Sequence, residues 1–90
     1  MRTVYISLSS VKSVQEFVSR ISPLKGQFDI ISDGYVIDAK SIMSIFSLDI
    51  TKPLKLQIEK DTKEAMQIIE RYIVKETPEN SGRQDVLEDT

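Results

Sequence analysis

From residue 2 to residue 8 polar and apolar positions alternate. Val4, Ile6 and Leu8 fall on one side of an extended chain, and Thr3, Tyr5 and Ser7 on the other. This period-two pattern predicts a strand buried on one face. Ser9 and Ser10 interrupt it, and the period then lengthens. Val11, Val14, Phe17, Val18 and Ile21 recur at steps of three and four, predicting an amphipathic helix over about residues 11–22, stopped by Pro23 and Gly26. Residues 27–39 read as a hairpin turning at Asp33-Gly34, a pair suited to a type I′ turn. A two-residue turn sets Ile30 opposite Ile37 and Phe28 opposite Ala39, giving one apolar face. It also sets Asp29 opposite Asp38, a mildly unfavourable like-charge pair. Slipping the register by one residue would bury polar groups instead.

The next stretch, Lys40-Ser41-Ile42-Met43-Ser44-Ile45-Phe46-Ser47-Leu48, has the signature of a short helix. Ser41 is placed to be its N-cap, the hydroxyl accepting a backbone N–H from the first turn. Ile42, Ile45 and Phe46 recur at helical spacing, with Met43 and Ile45 expected to form the buried pair. The run is too short to be stable alone, so the rest of the fold must hold it. Leu54, Leu56 and Ile58 alternate with Lys55, Gln57 and Glu59 as a fourth strand. Asp61 or Thr62 caps a last helix, with Glu64 three residues after Asp61 in the manner of a capping box. Ala65, Met66, Ile69, Tyr72 and Ile73 form its buried stripe. The predicted order is β-α-β-β-α-β-α, in an α+β sandwich of two layers with the helices on one side. The pattern does not fix strand order, and a ferredoxin-like arrangement satisfies it nearly as well.

Composition narrows the chemistry. Ninety residues, 40% hydrophobic and 29% charged, suit one globular domain. With no cysteine, disulfide and thiol chemistry are excluded. With no histidine, triads, histidine-bearing zinc sites and phosphohistidine chemistry are excluded as well. No apolar run approaches the ~20 residues of a membrane span and none reads as a signal peptide, so a cytoplasmic location is expected, with no membrane partner. The net charge of −2 is unevenly spread: residues 1–75 carry eleven basic and nine acidic residues, and residues 76–90 carry one and five. The first part reads as the domain, the second as a polar acidic tail expected to be mobile. A body charge this small gives no reason to expect direct nucleic-acid binding. The three glycines stand apart at 26, 34 and 82, so there is no phosphate-cradling loop. Asp29 and Asp38 sit on a strand face with no evident pocket. No catalytic residue, metal site or cofactor is expected.

One segment resembles a known family. Lys40-Ser41-Ile42-Met43, followed after two residues by Phe46-Ser47-Leu48, is similar to the regulatory-serine segment of the HPr-like phosphocarrier proteins of the sugar phosphotransferase system, including the Crh-like members that lack the phosphocarrier histidine. The resemblance spans roughly residues 2–75. It implies an open-faced sandwich, a four-stranded antiparallel sheet with three helices on one face. It further implies that Ser41 is phosphorylated by an HPr kinase/phosphorylase-like enzyme, and that the modified protein binds a transcriptional regulator of carbon catabolite control. Lys40, Ile42 and Phe46 would then be the docking residues, with Lys40 able to screen the phosphate and the two apolar side chains protruding from one helix face.

The family's other signature is missing. Counting back from Ser41 without a gap puts Ser10 where the family has its phosphoryl-accepting histidine, Lys12 at its arginine and Ser13 at its proline. A serine phosphate is a stable ester and a poor donor, so Ser10 and Lys12 mark a degenerate phosphocarrier site; Ser10 is expected to remain a helix cap. Ser44 is a second departure, since the family usually has glycine there. The resemblance therefore implies a non-enzymatic regulatory adaptor. The alternative is a constitutive interaction or assembly module that keeps the fold without the switch. The sequence leaves self-association into a homodimer open.

Overall fold

A computed structural model describes residues 1–74; the expected domain end at Lys75 and the tail over 76–90 lie outside them. Five strands and three helices form: β1 (Arg2–Ile6), α1 (Val11–Ile21), β2 (Phe28–Ser32), β3 (Tyr35–Asp38), α2 (Ile42–Phe46), β4 (Leu54–Ile58), α3 (Lys63–Ile69), a 3₁₀ turn (Glu70–Tyr72) and β5 (Ile73–Val74). The sheet order is β3-β2-β4-β1-β5 and every pairing is antiparallel. The ferredoxin-like alternative is thereby set aside.

Local chemistry explains the boundaries. Ser10, at extended φ and ψ, caps α1 by accepting the Ser13 N–H at 3.1 Å. At the other end the Ser22 N–H closes the last turn on the Val18 carbonyl at 2.9 Å, and Pro23 prevents continuation. The β2–β3 hairpin turns through Asp33 and Gly34, both at positive φ (50° and 83°), as a type I′ turn requires. Its register is the expected one, with Ile30 opposite Ile37 and Asp29 opposite Asp38. After α2, the Asp49 carboxylate accepts both the hydroxyl and the N–H of Thr51. Those two hydrogen bonds, helped by Lys52, hold the Asp49 pKa below 3.8.

The alternating apolar residues of the strands and the stripes of the helices meet in one core. Ile6, Phe17, Phe28, Ile45, Leu56 and Ile69 are among its fully buried members. β4 is apolar at Leu54, Leu56 and Ile58 and only half-buried at Lys55 and Gln57, so among the described residues the helices cover one sheet face and leave the other open. Tyr72 packs edge-on against Phe17, ring centroids 5.2 Å apart.

Four expectations need correction. The last helix ends at Ile69: the chain tightens into a 3₁₀ turn, the Tyr72 carbonyl accepts the Ser7 N–H at 2.8 Å, and Ile73–Val74 pair with β1. The free edge of β1 thus takes residues whose spacing also fitted a helix, and the sheet has five strands instead of four. Thr62, not Asp61, caps α3, through the Ala65 N–H at 3.1 Å; Asp61 instead pairs with Arg2 at 3.3 Å, so no capping box forms. Val11, the first residue of α1, lies 56% exposed, and the buried stripe begins only at Val14. Met43, expected to be buried, is 76% exposed, because the fully buried Ile45, with Ile42 packed against the core, fixes the phase of the five residues of α2.

These assignments separate by mutation. Phe17→Ala is expected to cost about 3–5 kcal/mol in chemical denaturation, whereas Met43→Ala stays within about 0.5 kcal/mol of the parent. Asp49 is expected to titrate below 3.8 by NMR, and Thr51→Val to return it toward the ordinary carboxylate value. Because the folded pKa is depressed, the stability this loop contributes is present above the unfolded pKa and lost as pH falls through the folded one.

Candidate functional site

α2 begins where the chain leaves β3. The Ser41 N–H donates to the Asp38 carbonyl at 3.0 Å, and the Ser41 carbonyl accepts the Ile45 N–H at 3.2 Å. Ser41 itself is extended (φ −98°, ψ 102°) and is the N-cap, as its position in the sequence predicts. Its hydroxyl has two partners on the same residue. It accepts the Ser44 N–H at a long 3.4 Å and donates to Ser44 Oγ at 2.9 Å. The second bond exists only because residue 44 carries a hydroxyl. Ser41 is half-buried, and its hydroxyl is already engaged.

Lys40 does not lie free beside it. Its ammonium donates to the Leu24 carbonyl at 2.6 Å and sits 5.4 Å from the centre of the Phe28 ring, a cation–π separation. Its N–H donates to the Asp38 carboxylate at 2.9 Å. The lysine ties the start of α2 to the loop that follows α1.

The apolar side chains of α2 divide differently from the sequence expectation. Phe46 is 38% exposed, and Ile42 is partly buried against the core. The protruding pair is therefore Met43 and Phe46. Sequence reasoning missed Met43 because over five residues the spacings of three and four fit more than one helical phase.

At α1, Ser10 caps the helix with the same device as Ser41. It accepts the Ser13 N–H, and its hydroxyl donates to Ser13 Oγ at 3.2 Å. Lys12 is exposed. A serine hydroxyl at that N-cap has no nitrogen on which a transferable phosphoryl group could be carried, and the chain has no histidine elsewhere.

The remaining surface offers less. Among the described residues no polar or charged residue is buried, and no three potential metal ligands converge. No described helix is long and apolar enough to cross a membrane. The largest cleft described, about 460 Å³, runs beside Tyr5, Ile31 and Lys55 on the open sheet face. Asp29 and Asp38 stay neighbours on that same face, where Asp29 accepts Gln27 Nε2 at 3.1 Å.

No protein-family model matches the chain, and no curated protein sequence matches it at significance. A solved structure does: HPr-C-His from Thermoanaerobacter tengcongensis, with a TM-score of 0.66 and 28% identity over 79% of this chain and 89% of that one. The chain is similar to an HPr over nearly the whole of that protein, and its antiparallel open sheet with three helices is an HPr-like fold.

Proposed function

We propose that this chain is a non-enzymatic regulatory adaptor related to the phosphotransferase system, of the Crh-like kind, switched by phosphorylation of Ser41 and unable to carry a phosphohistidine. The supporting observation is one placement: a surface serine caps the short helix that also presents Met43 and Phe46, on an HPr-like scaffold without histidine. Phosphate adds roughly −1.5 to −2 charges and three acceptor oxygens. At an N-cap that charge lies near free backbone N–H groups, so the helix can retain its shape while its neutral surface turns negative. The partners in this reading are an HPr kinase/phosphorylase-like enzyme acting in the cytoplasm and a transcriptional regulator recognising the phosphoserine beside the apolar pair. Phe46 and Met43 supply the apolar contact, Ile42 supports them from the core side, and Lys40 acts by fixing the helix in place.

The Ser44 hydroxyl gives the alternative reading its footing. It holds the Ser41 proton at 2.9 Å, and that bond must open before a kinase can use the oxygen. A module that keeps the fold without the switch would tolerate such a lock.

Incubation with ATP and an HPr-type kinase is expected to place one phosphate on Ser41 by mass spectrometry, and none on Ser41→Ala. An unmodified chain under conditions that phosphorylate an authentic HPr overturns the reading. Regulator binding indifferent to both Ser41→Ala and Ser41→Asp instead favours the constitutive module. Ser41→Ala also removes a cap, so it should lower stability by about 0.5–2 kcal/mol, which a thermal melt records alongside. Ser44→Ala leaves the Ser41 hydroxyl without its acceptor. Since one such bond contributes about 0.5–1.5 kcal/mol, phosphorylation should speed up by roughly 2- to 10-fold, and an unchanged rate means the bond does not restrain the reaction.

A further inference from the structure

The open face of the sheet carries its own pattern. The strand registers line up one cross-strand row, Val36, Ile31, Lys55, Tyr5 and Val74, running from β3 to β5. Four of its five members are apolar or aromatic, on the side of the sheet that no described helix covers, and Val36 is 64% exposed. Two residues further along the strands lies a second row, Asp38, Asp29, Gln57 and Thr3. One row is apolar around a single lysine; the other pairs two acids with two hydrogen-bond donors.

We propose that this face is a homodimer interface, packed on the same face of a second copy about a two-fold axis that runs along the strands between β2 and β4. The face is self-complementary in charge, and among two-fold axes that run along the strands charge selects one. A two-fold lying over β4 would set Lys55 against itself, and one over β2 would set Asp29 against itself. An axis between β4 and β1 would leave Val36 uncovered. The axis between β2 and β4 is the midline of the four longer strands. It brings Val36 over the partner's Tyr5, Ile31 under the stem of the partner's Lys55, Asp29 against the partner's Gln57, and Asp38 against the partner's Thr3. Each acid then meets a donor. The Lys55 ammonium, extending past Ile31, reaches toward the Asp29 carboxylate one row away, since a lysine stem can cover apolar surface while its head seeks charge. Two sheets stacked in this way lie about 10 Å apart and nearly aligned.

The size of the face sets the strength. Four strands at ~4.8 Å and five residues at ~3.4 Å give a footprint of roughly 19 by 17 Å. That is smaller than the ~800 Å² per partner of a standard stable interface, so the dimer is a weak one, populated at high protein concentration. The interface lies on the sheet side opposite α2 and does not depend on Ser41.

The chain has no cysteine, which makes cross-linking specific. Tyr5 and Val36 stand three strands apart within one copy, too far for an internal disulfide, yet face each other across the proposed axis. Mixing Tyr5→Cys with Val36→Cys and treating with a bifunctional thiol reagent that spans about 10 Å is expected to give the mixed cross-linked dimer in preference to either self-linked one. In sedimentation equilibrium of the full chain, Lys55→Asp and Asp29→Lys should each weaken association about tenfold, and the two combined should restore it. A thermal melt of each variant reads its fold separately. A monomer at every concentration up to about 1 mM overturns the proposal, whether the face stays open or is covered by something else. So does a dimer insensitive to both charge changes.

Discussion

β4 is hydrogen-bonded along both edges, to β1 on one side and β2 on the other, and this double pairing is what the remaining structure depends on. It joins the first strand to a hairpin formed more than twenty residues later, contacts that must be made at the entropic cost of closing long loops. Because β4 alternates Leu54, Leu56 and Ile58 with Lys55 and Gln57, only one register buries an apolar row on both neighbours at once. Phe28 lies opposite Ile58, Ile30 and Val4 both lie opposite Leu56, and Ile6 lies opposite Leu54. Helices α1 and α3 then cover the apolar side, and α2 is held at its edge by Ile45. Neither α2, at five residues, nor β5, at two, is long enough to exist without that platform.

Most of the architecture was legible wherever a local rule and the burial pattern agreed. The Asp33-Gly34 turn and the facing apolar residues fixed the hairpin register two ways at once, and the cost of the Asp29–Asp38 pair was too small to move it. Ser10 and Ser41 were legible as caps because a cap is a local hydrogen bond, and the cap of α3 was legible only to within Asp61 and Thr62. The end of α3 was not. Tyr72 and Ile73 continue a helical spacing, and only the open edge of β1, some sixty-five residues away in sequence, draws them into a turn and a strand. Strand order was hidden for the same reason: it is decided by pairing between distant segments, which a one-dimensional period does not record.

The candidate site divides along the same line. That Ser41 caps a helix follows from three neighbouring residues. That its hydroxyl donates to Ser44 follows from a departure visible in the sequence, but the direction of the bond needed the backbone. Lys40 illustrates the limit. Beside a serine at a strand end it reads as a solvated charge, yet the Leu24 carbonyl left over at the end of α1 and the face of Phe28 together outcompete water for its ammonium. Both partners come from elements packed against it through the fold, so no local pattern could supply them. The same holds for Met43 and Ile42, which exchange exposure because the core contact of Ile45 sets the helix phase.

The hydroxyl at residue 44 ties the geometry of the site to its proposed use. In the HPr-like pattern a glycine there offers only a backbone N–H, and the capping oxygen has no competing side-chain acceptor. Here Ser41 gives its proton to Ser44 while its cap bond is long, so the serine is oriented more by its neighbour's side chain than by the helix. A phosphate on Ser41 removes that proton and turns the oxygen cluster into acceptors. Ser44 Oγ must then rotate from accepting to donating, which it can do without moving the backbone because Ser47 bonds to the Ser44 carbonyl and not to its hydroxyl. In the proposed switch the departure from glycine would thus restrain the unmodified state and leave a donor ready for the modified one. Such a site would switch more slowly but hold its product more firmly, a different balance from the glycine version on the same fold.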